Sequence, residues 1–232
     1  MRICGFQVTS FVDYPGEVCS TVFTGSCNLR CPFCFNSDLV LRPEQLPQFS
    51  EEEIFSLLKK RIDFQGALCI TGGEPALQAD LLPFITKSKS MDLRVKLDTN
   101  GTCPEVLEKL LEAGILDYVA MDYKAPPQKY NLLTGANIDY SKIEQTITLL
   151  RSSPVAYEFR TTVVPSLLDE NDLLEIANVL KGSRQLVFQQ FKPLPTLLDE
   201  RLLNEQPYSG DRIEKVASLC RDLIHSVLLR GF

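Results

Sequence analysis

"GALCITGGEPALQADLLPFITKSKSMDLRVKLDTNG", residues 66–101, carries two short apolar runs separated by a helical stretch. Residues 66–71 read as a strand, 75–90 as a segment carrying a helix, and 93–99 as the next strand. The Asn100–Gly101 pair alone suggests a hairpin turn. A further helical pattern follows at 104–114, opened by Pro104 and stopped by Gly114, and argues for a crossover instead. Strand, helix and strand in succession imply parallel strands.

The alternation extends in both directions. Residues 17–24, 117–123, 156–164 and 185–191 complete a set of six strands. Helices are expected at 50–62, 141–153, 169–182 and 211–229. Ser50 with Glu53, and Ser141 with Glu144, have the spacing of capping boxes, and Gly182 marks a stop. The last helix has Ile213, Val216, Leu219, Leu223 and Val227 on one stripe. Six strands fall short of a closed eight-stranded barrel, so the expected class is α/β, an open or incomplete (β/α)6 barrel with outer helices. In such folds ligands sit at the carboxyl ends of the strands.

The chain has 232 residues, 44% hydrophobic and 23% charged, with no internal repeat and no apolar run of membrane-spanning length. It reads as a single domain over 1–232 with a core at about 15–195. The start, "MRICGFQVTSF", lacks the features of a secretory signal, which predicts a cytoplasmic protein. A net charge of −6 argues against a general nucleic-acid binder.

Immediately after the first strand, "CNLRCPFC" (27–34) places Cys27, Cys31 and Cys34 in eight positions. The other five cysteines, Cys4, Cys19, Cys69, Cys103 and Cys220, stand alone and read as small buried hydrophobes. Clustered thiolates suit an iron–sulfur cluster, zinc, or no ligand at all. Structural zinc usually takes four ligands, and the sole histidine, His225, is remote in sequence. Three thiolates without an obvious fourth favour a cluster with one open iron.

The other strand ends carry chemistry too. Gly72, Gly73 and Glu74 follow the second strand, and Asp98 closes the third. Asp122 and Lys124 lie two apart at the fourth, so they share a face, as do Glu158 and Arg160 on the fifth; Gln190 is on the sixth. Each alone is equally an ordinary turn or a surface ion pair. Five successive strands delivering such groups suit a ligand with an amine and a carboxylate beside a metal cluster.

The CxxxCxxC spacing with Phe33 before the third cysteine, together with "GGEP" (72–75), resembles the radical S-adenosylmethionine (SAM) enzymes. "GFQVTSFVDYPG" (5–16), "CNLRCPFCFN" (27–36), "TGGEPALQ" (71–78), "LDTNG" (97–101), "DYVAMDYKAP" (117–126) and "KY" (129–130) resemble, more narrowly, the anaerobic ribonucleoside-triphosphate reductase activating proteins among the glycyl-radical-enzyme activases. The resemblance covers roughly residues 5–195.

That resemblance implies one 4Fe–4S cluster on Cys27, Cys31 and Cys34, with SAM chelating the open iron. An electron from flavodoxin or ferredoxin cleaves SAM to a 5′-deoxyadenosyl radical, which takes hydrogen from a glycine of a glycyl radical enzyme. It implies further that Phe33 and Phe35 flank adenine and that Gly72, Gly73 and Glu74 meet the methionyl amine. Asp122 and Lys124 meet the charged end or ribose, Arg160 a carboxylate, and Gln190 the cofactor. Asp98 and Thr99 match a position that holds a monovalent cation in related activases. Two departures stand out: Phe35 where histidine is frequent, and Ser26 where glycine often precedes the first cysteine. The competing readings are a small-molecule radical SAM enzyme, such as a 7-carboxy-7-deazaguanine synthase, and a zinc-bound interaction module. An open barrel side and the lack of a substrate domain favour a protein substrate. Residues 195–210 read as a linker rather than a docking element.

Overall fold

The computed structural model describes residues 1–62 and 64–232. In chain order the elements are β1 (Ile3–Ser10), β2 (Cys19–Thr24), α1 (Ser37–Leu41), α2 (Glu51–Lys59), β3 (Ala67–Gly72), α3 (Leu81–Lys89), β4 (Arg94–Thr99) and α4 (Pro104–Glu112). There follow β5 (Tyr118–Asp122), α5 (Tyr130–Thr134), α6 (Tyr140–Ser152), β6 (Ala156–Val163), α7 (Glu170–Val179), β7 (Gln185–Gln190), α8 (Gly210–Cys220) and β8 (Ser226–Arg230). One eight-stranded sheet runs in the order β1 to β8, with β1 and β8 at its two edges. The six expected strands are β2 to β7, and all pair in parallel. The sheet is an open α/β barrel, as the alternation implied.

Period-two alternation sorts its residues. Leu68, Ile70, Val95, Leu97, Val119, Met121, Phe159, Leu186 and Phe188 face the helices and are 0–1% exposed. They pack in one apolar cluster with helix residues such as Phe84, Leu107, Ile147 and Ile176. Fully burying a side chain like Phe84 contributes about 1.5–3 kcal/mol. The other face looks into the barrel, where Cys69 lies opposite Lys96, Asp98 opposite Ala120, and Asp122 opposite Arg160.

Two strands lie outside the expected six. β1 pairs antiparallel with β2. The helix expected at 211–229 ends at Cys220, and its last residues form β8, parallel to β7 with Leu186 opposite Val227. The apolar stripe kept helical period through the break. But β7 would otherwise be an unpaired edge, and strand pairing there satisfies its backbone. The turn between them is tied down by Gly182 N–H to Leu223 O (2.8 Å) and His225 N–H to Ser183 O (3.1 Å). Leu219, expected on the buried stripe, is 60% exposed.

Local signals held at three caps and failed at a fourth. Ser50 and Glu53 form the capping box of α2. Gly114 and Gly182 take left-handed φ of 62° and 82° after their helices. For α6 the cap is Asp139, whose carboxylate accepts from Ser141 N–H; the Ser141–Glu144 box does not form. The segment 75–90 is a 3₁₀ turn at Pro75–Leu77 followed by α3.

Candidate active site

The loop carrying Cys27, Cys31 and Cys34 leaves the carboxyl end of β2 and is held from three directions. The turn after β3 grips its start: Glu74 N–H donates to Ser26 O at 2.8 Å, and Gly73 N–H to Thr24 O at 2.8 Å. The approach is so close that a Cβ on Gly73 would lie 2.0 Å from Ser26 O. Ser26 itself has φ 76°, a left-handed conformation rare outside glycine. α5 grips the middle, through Arg30 N–H to Thr134 O at 2.7 Å. Residues 198–199 grip the end: Leu198 N–H donates to Cys34 O (2.9 Å) and Asp199 N–H to Pro32 O (3.0 Å). The segment expected to be a linker is therefore a strap, anchored by buried Leu197 and Leu202.

All eight cysteines are free thiols. Cys31 is buried, whereas Cys27 and Cys34 are half-buried. Burial pushes the Cys31 thiol up to about 12, against the pull of the Lys124 ammonium. It raises Cys27 and Cys34 as well. Without a cation in contact, these groups stay protonated at neutral pH. Three soft, desolvated donors on one braced loop fit a ligand whose positive charge displaces their protons, as a thiolate-bound metal centre does. Among the described residues no three His, Cys, Asp or Glu side chains converge around a single-ion position. Thiolates that each hold a different iron of a cluster are not required to converge in that way. Of the five other cysteines, four are buried as expected, and Cys103 is half-buried.

Glu74 departs from its expected role. It is 1% exposed, and its carboxylate is already engaged. Oε1 accepts from Ala76 N–H (3.0 Å) and Thr99 Oγ1 (2.8 Å), and Oε2 from Asn100 N–H (2.6 Å). It joins the turn after β3 to the end of β4 and does not reach outward to an amine. Burial raises its carboxyl to about 7, partly offset by those hydrogen bonds. Thr99 is consequently a partner of Glu74. Asn100, which sequence reasoning passed over, directs its side-chain amide to Asn28 Oδ1 (2.9 Å) and toward Cys27 Sγ (3.8 Å).

Inside the barrel the charges alternate along one chain of contacts: Lys96, Asp98, Arg160, Asp122, Lys124. Arg160 donates through Nη1 to Asp98 Oδ2 (3.1 Å) and through Nε to Asp122 Oδ1 (2.7 Å). Lys124 Nζ reaches Asp122 Oδ2 at 3.0 Å, and Lys96 Nζ pairs with Asp98 Oδ1. Burial drives the Asp98 and Asp122 carboxyls up, but Arg160 beside both, with Lys96 and Lys124, outweighs it and holds them below the ordinary range. Asp98 thus faces an ammonium and a guanidinium of the protein itself, where a bound monovalent cation was expected. Lys96 was hidden in an apolar-looking run, although its two-residue spacing from Asp98 puts both inside.

The remaining expectations divide. Phe33 is buried at 5%, with Lys124 Nζ 6.0 Å from its ring centre, whereas Phe35 is 56% exposed. Gly72 has φ 117° and lies against the Thr24 backbone. Gln190 Nε2 donates to Tyr208 O (3.2 Å), turned toward the strap. Glu158, 0% exposed, is clamped by Arg230 of β8.

The family model described as the radical SAM superfamily matches residues 21–180. A protein of Methanocaldococcus jannaschii, provisionally named a glycyl-radical enzyme activating enzyme, is 34% identical over 98% of this chain and 95% of its own. A pyruvate formate-lyase-activating enzyme of Clostridium pasteurianum is 25% identical over 96% of this chain and 98% of its own. Among solved structures, Streptococcus suis SuiB bound to S-adenosylmethionine superposes with a TM-score of 0.67 at 13% identity. That match covers 90% of this chain and 49% of SuiB, so the chain spans about half of SuiB's length and the likeness concerns the fold.

Proposed function

The chain belongs to the radical SAM superfamily, and from that membership we propose that it is a glycyl-radical enzyme activating enzyme. Cys27, Cys31 and Cys34 would hold one 4Fe–4S cluster, leaving one iron without a protein ligand. When bound, the cluster and SAM supply one-electron cleavage of a sulfonium and, through it, hydrogen abstraction from carbon.

The chain's own residues then bind, orient and exclude water. Gly72 and Gly73 let the turn after β3 lie against the backbone of Thr24 and Ser26, which sets the cysteine loop for its ligand. Lys124 and Arg160 set positive charge toward a carboxylate, and Asp122, with 30% of its side chain exposed, is the carboxylate of the ion chain most open to a partner. Phe33 walls the site, and exposed Phe35 is available to cover a base. Glu74 is a positioning residue that braces Gly73 against the cysteine loop, and Gln190 ties β7 to the strap.

The substrate we infer is a glycine in a loop of a glycyl radical enzyme, with the anaerobic ribonucleoside-triphosphate reductase as the specific partner and a flavodoxin or ferredoxin as donor in the cytoplasm. The observation that carries this reading is the set of three free thiols on a braced loop at the carboxyl ends of parallel strands. The near full-length likeness to an activating enzyme and the open sheet, which ends at β1 and β8 without closing, support a macromolecular substrate. The test is electron paramagnetic resonance of the reduced, reconstituted protein with SAM and the reductase. A glycine-centred doublet is expected. Its absence, with SAM cleavage intact, would turn the reading toward a small-molecule substrate.

A further inference from the structure

The side-chain amide of Asn100 can stand in only one orientation. Asn100 is 5% exposed and directly follows β4, where its own N–H donates to Glu74 Oε2 at 2.6 Å. Its side-chain oxygen accepts from the Thr102 N–H at 3.0 Å and from Thr102 Oγ1 at 2.7 Å. A backbone N–H can only donate, so the amide atom facing it must be the oxygen. The nitrogen is therefore turned the other way, toward the cysteine loop. It donates to Asn28 Oδ1 at 2.9 Å and to Cys27 Sγ at 3.8 Å.

Asn28 closes the ring, since its Nδ2 donates to Thr102 Oγ1 at 2.8 Å. Every polar atom of the Asn100 amide is thus engaged, and the residue next to Cys27 is tied to the turn after β4. Cys27 Sγ also accepts from the Leu29 N–H at 3.4 Å, a donor that belongs to the cysteine loop itself. Asn100 comes from a different strand. Among the described residues it is the one side chain that donates to Cys27, Cys31 or Cys34. Donors to an ionised acceptor bind more strongly than donors to a neutral one, so this bond gains when the thiol becomes a thiolate.

We propose that Asn100 is a positioning residue whose side-chain amide donates a hydrogen bond to the Cys27 sulfur when the cluster is bound, favouring the reduced cluster. This rests on the cluster reading above. Hydrogen bonds to cluster sulfurs tune reduction potential, because they strengthen as electron density on sulfur rises. Glu74, Thr102 and Asn28 act behind Asn100 by fixing where its amide points.

The test is Asn100→Ser, which leaves an oxygen beside the Thr102 N–H but is too short to reach the sulfur, with Asn100→Ala as a second variant. Wild type and variants are reconstituted anaerobically, assayed for iron, and titrated by electron paramagnetic resonance against potential. SAM is left out, so that no contact to it contributes. Both variants are expected to carry the iron of the wild type. At a fixed potential their reduced-to-oxidised ratio should fall about three- to tenfold, equivalent to about 28–59 mV for one electron. Asn28→Ala removes two bonds of the ring and none on sulfur, and should leave the potential where it is. An equal shift in Asn28→Ala would assign the effect to a loosened loop and overturn the proposal. An unchanged potential in an iron-replete Asn100 variant would do the same. So would folded Asn100 variants that take up no iron, because a tuning bond is not an anchor. Wild type without iron would instead overturn the cluster reading.

Discussion

The Ser26 carbonyl oxygen and Gly73 meet at a distance that admits no side chain: a Cβ on Gly73 would lie 2.0 Å from that oxygen. Gly73→Ala must therefore push the cysteine loop away from the turn after β3. Overpacking of this kind costs about 1–3 kcal/mol. Urea titration of the apo protein should show that loss, and iron uptake after reconstitution should fall with it. An Ala variant with wild-type stability and iron content would mean that the two loops separate freely.

Ser26 itself offers the opposite experiment. Its φ of 76° is a conformation that glycine adopts without strain. Relief of about 1–3 kcal/mol of backbone strain is offset by about 0.4–1 kcal/mol of added chain entropy in the unfolded state. Ser26→Gly should be neutral to stabilising by about 1 kcal/mol, read as a raised melting temperature of the apo protein. A marked loss would show that the serine side chain makes up for its backbone.

Arg160 stands between two carboxylates, so its removal takes one cationic partner from each. Lys96 and Lys124 still reach Asp98 and Asp122 from the other side. Breaking a buried charge network by removing one member costs about 3–5 kcal/mol. Arg160→Met should approach the lower end of that range because the two lysines remain. Adding Asp122→Asn to Arg160→Met should deepen the loss, because it takes the one carboxylate from the Lys124 ammonium. A double variant more stable than the single one would contradict the ion-chain account.

Glu74 makes stability depend on pH. Its folded carboxyl is raised to about 7 from 4.5 by burial, so the folded state holds a proton that the unfolded chain has released between those values. The contribution is fully present below about pH 4.5 and is lost as pH rises through about 7. At about 1.4 kcal/mol per pKa unit, the span is on the order of 3 kcal/mol. Glu74→Gln cannot ionise. Its stability, measured by urea titration from pH 5 to 8, should lack the decline of the wild type over that window. It should also be lower overall at pH 5, since an amide cannot accept every bond the carboxyl makes. Parallel pH profiles for the two proteins would remove Glu74 from the account.

The barrel, the cysteine spacing and the shared faces of its lumen charges were legible because all depend on short spacings. Period-two alternation put Asp122 with Lys124, and Glu158 with Arg160, on one face. Cys27, Cys31 and Cys34 needed only their own spacing. What was not legible depends on contacts between distant segments. Lys96, between Val95 and Leu97, carries no signal of its own until the lumen opposite it is known to be charged. Glu74 reads as an outward carboxylate until Thr99 and Asn100 fold against it. The strap at 195–210 has no periodic signal, since its role lies in two backbone amides meeting Cys34 and Pro32. β8 was hidden because Leu219, Leu223 and Val227 keep helical spacing through a break that the edge of β7 imposes.

The most direct test of the central claim is iron and SAM cleavage in single-cysteine variants after anaerobic reconstitution. Wild type should bind about four irons per chain, the content of one 4Fe–4S cluster. Cys27→Ala, Cys31→Ala and Cys34→Ala should each lose SAM cleavage, whereas Cys69→Ala and Cys220→Ala should keep it. Stoichiometric zinc without iron in the wild type, or near-normal cleavage in any of the first three variants, would contradict the account.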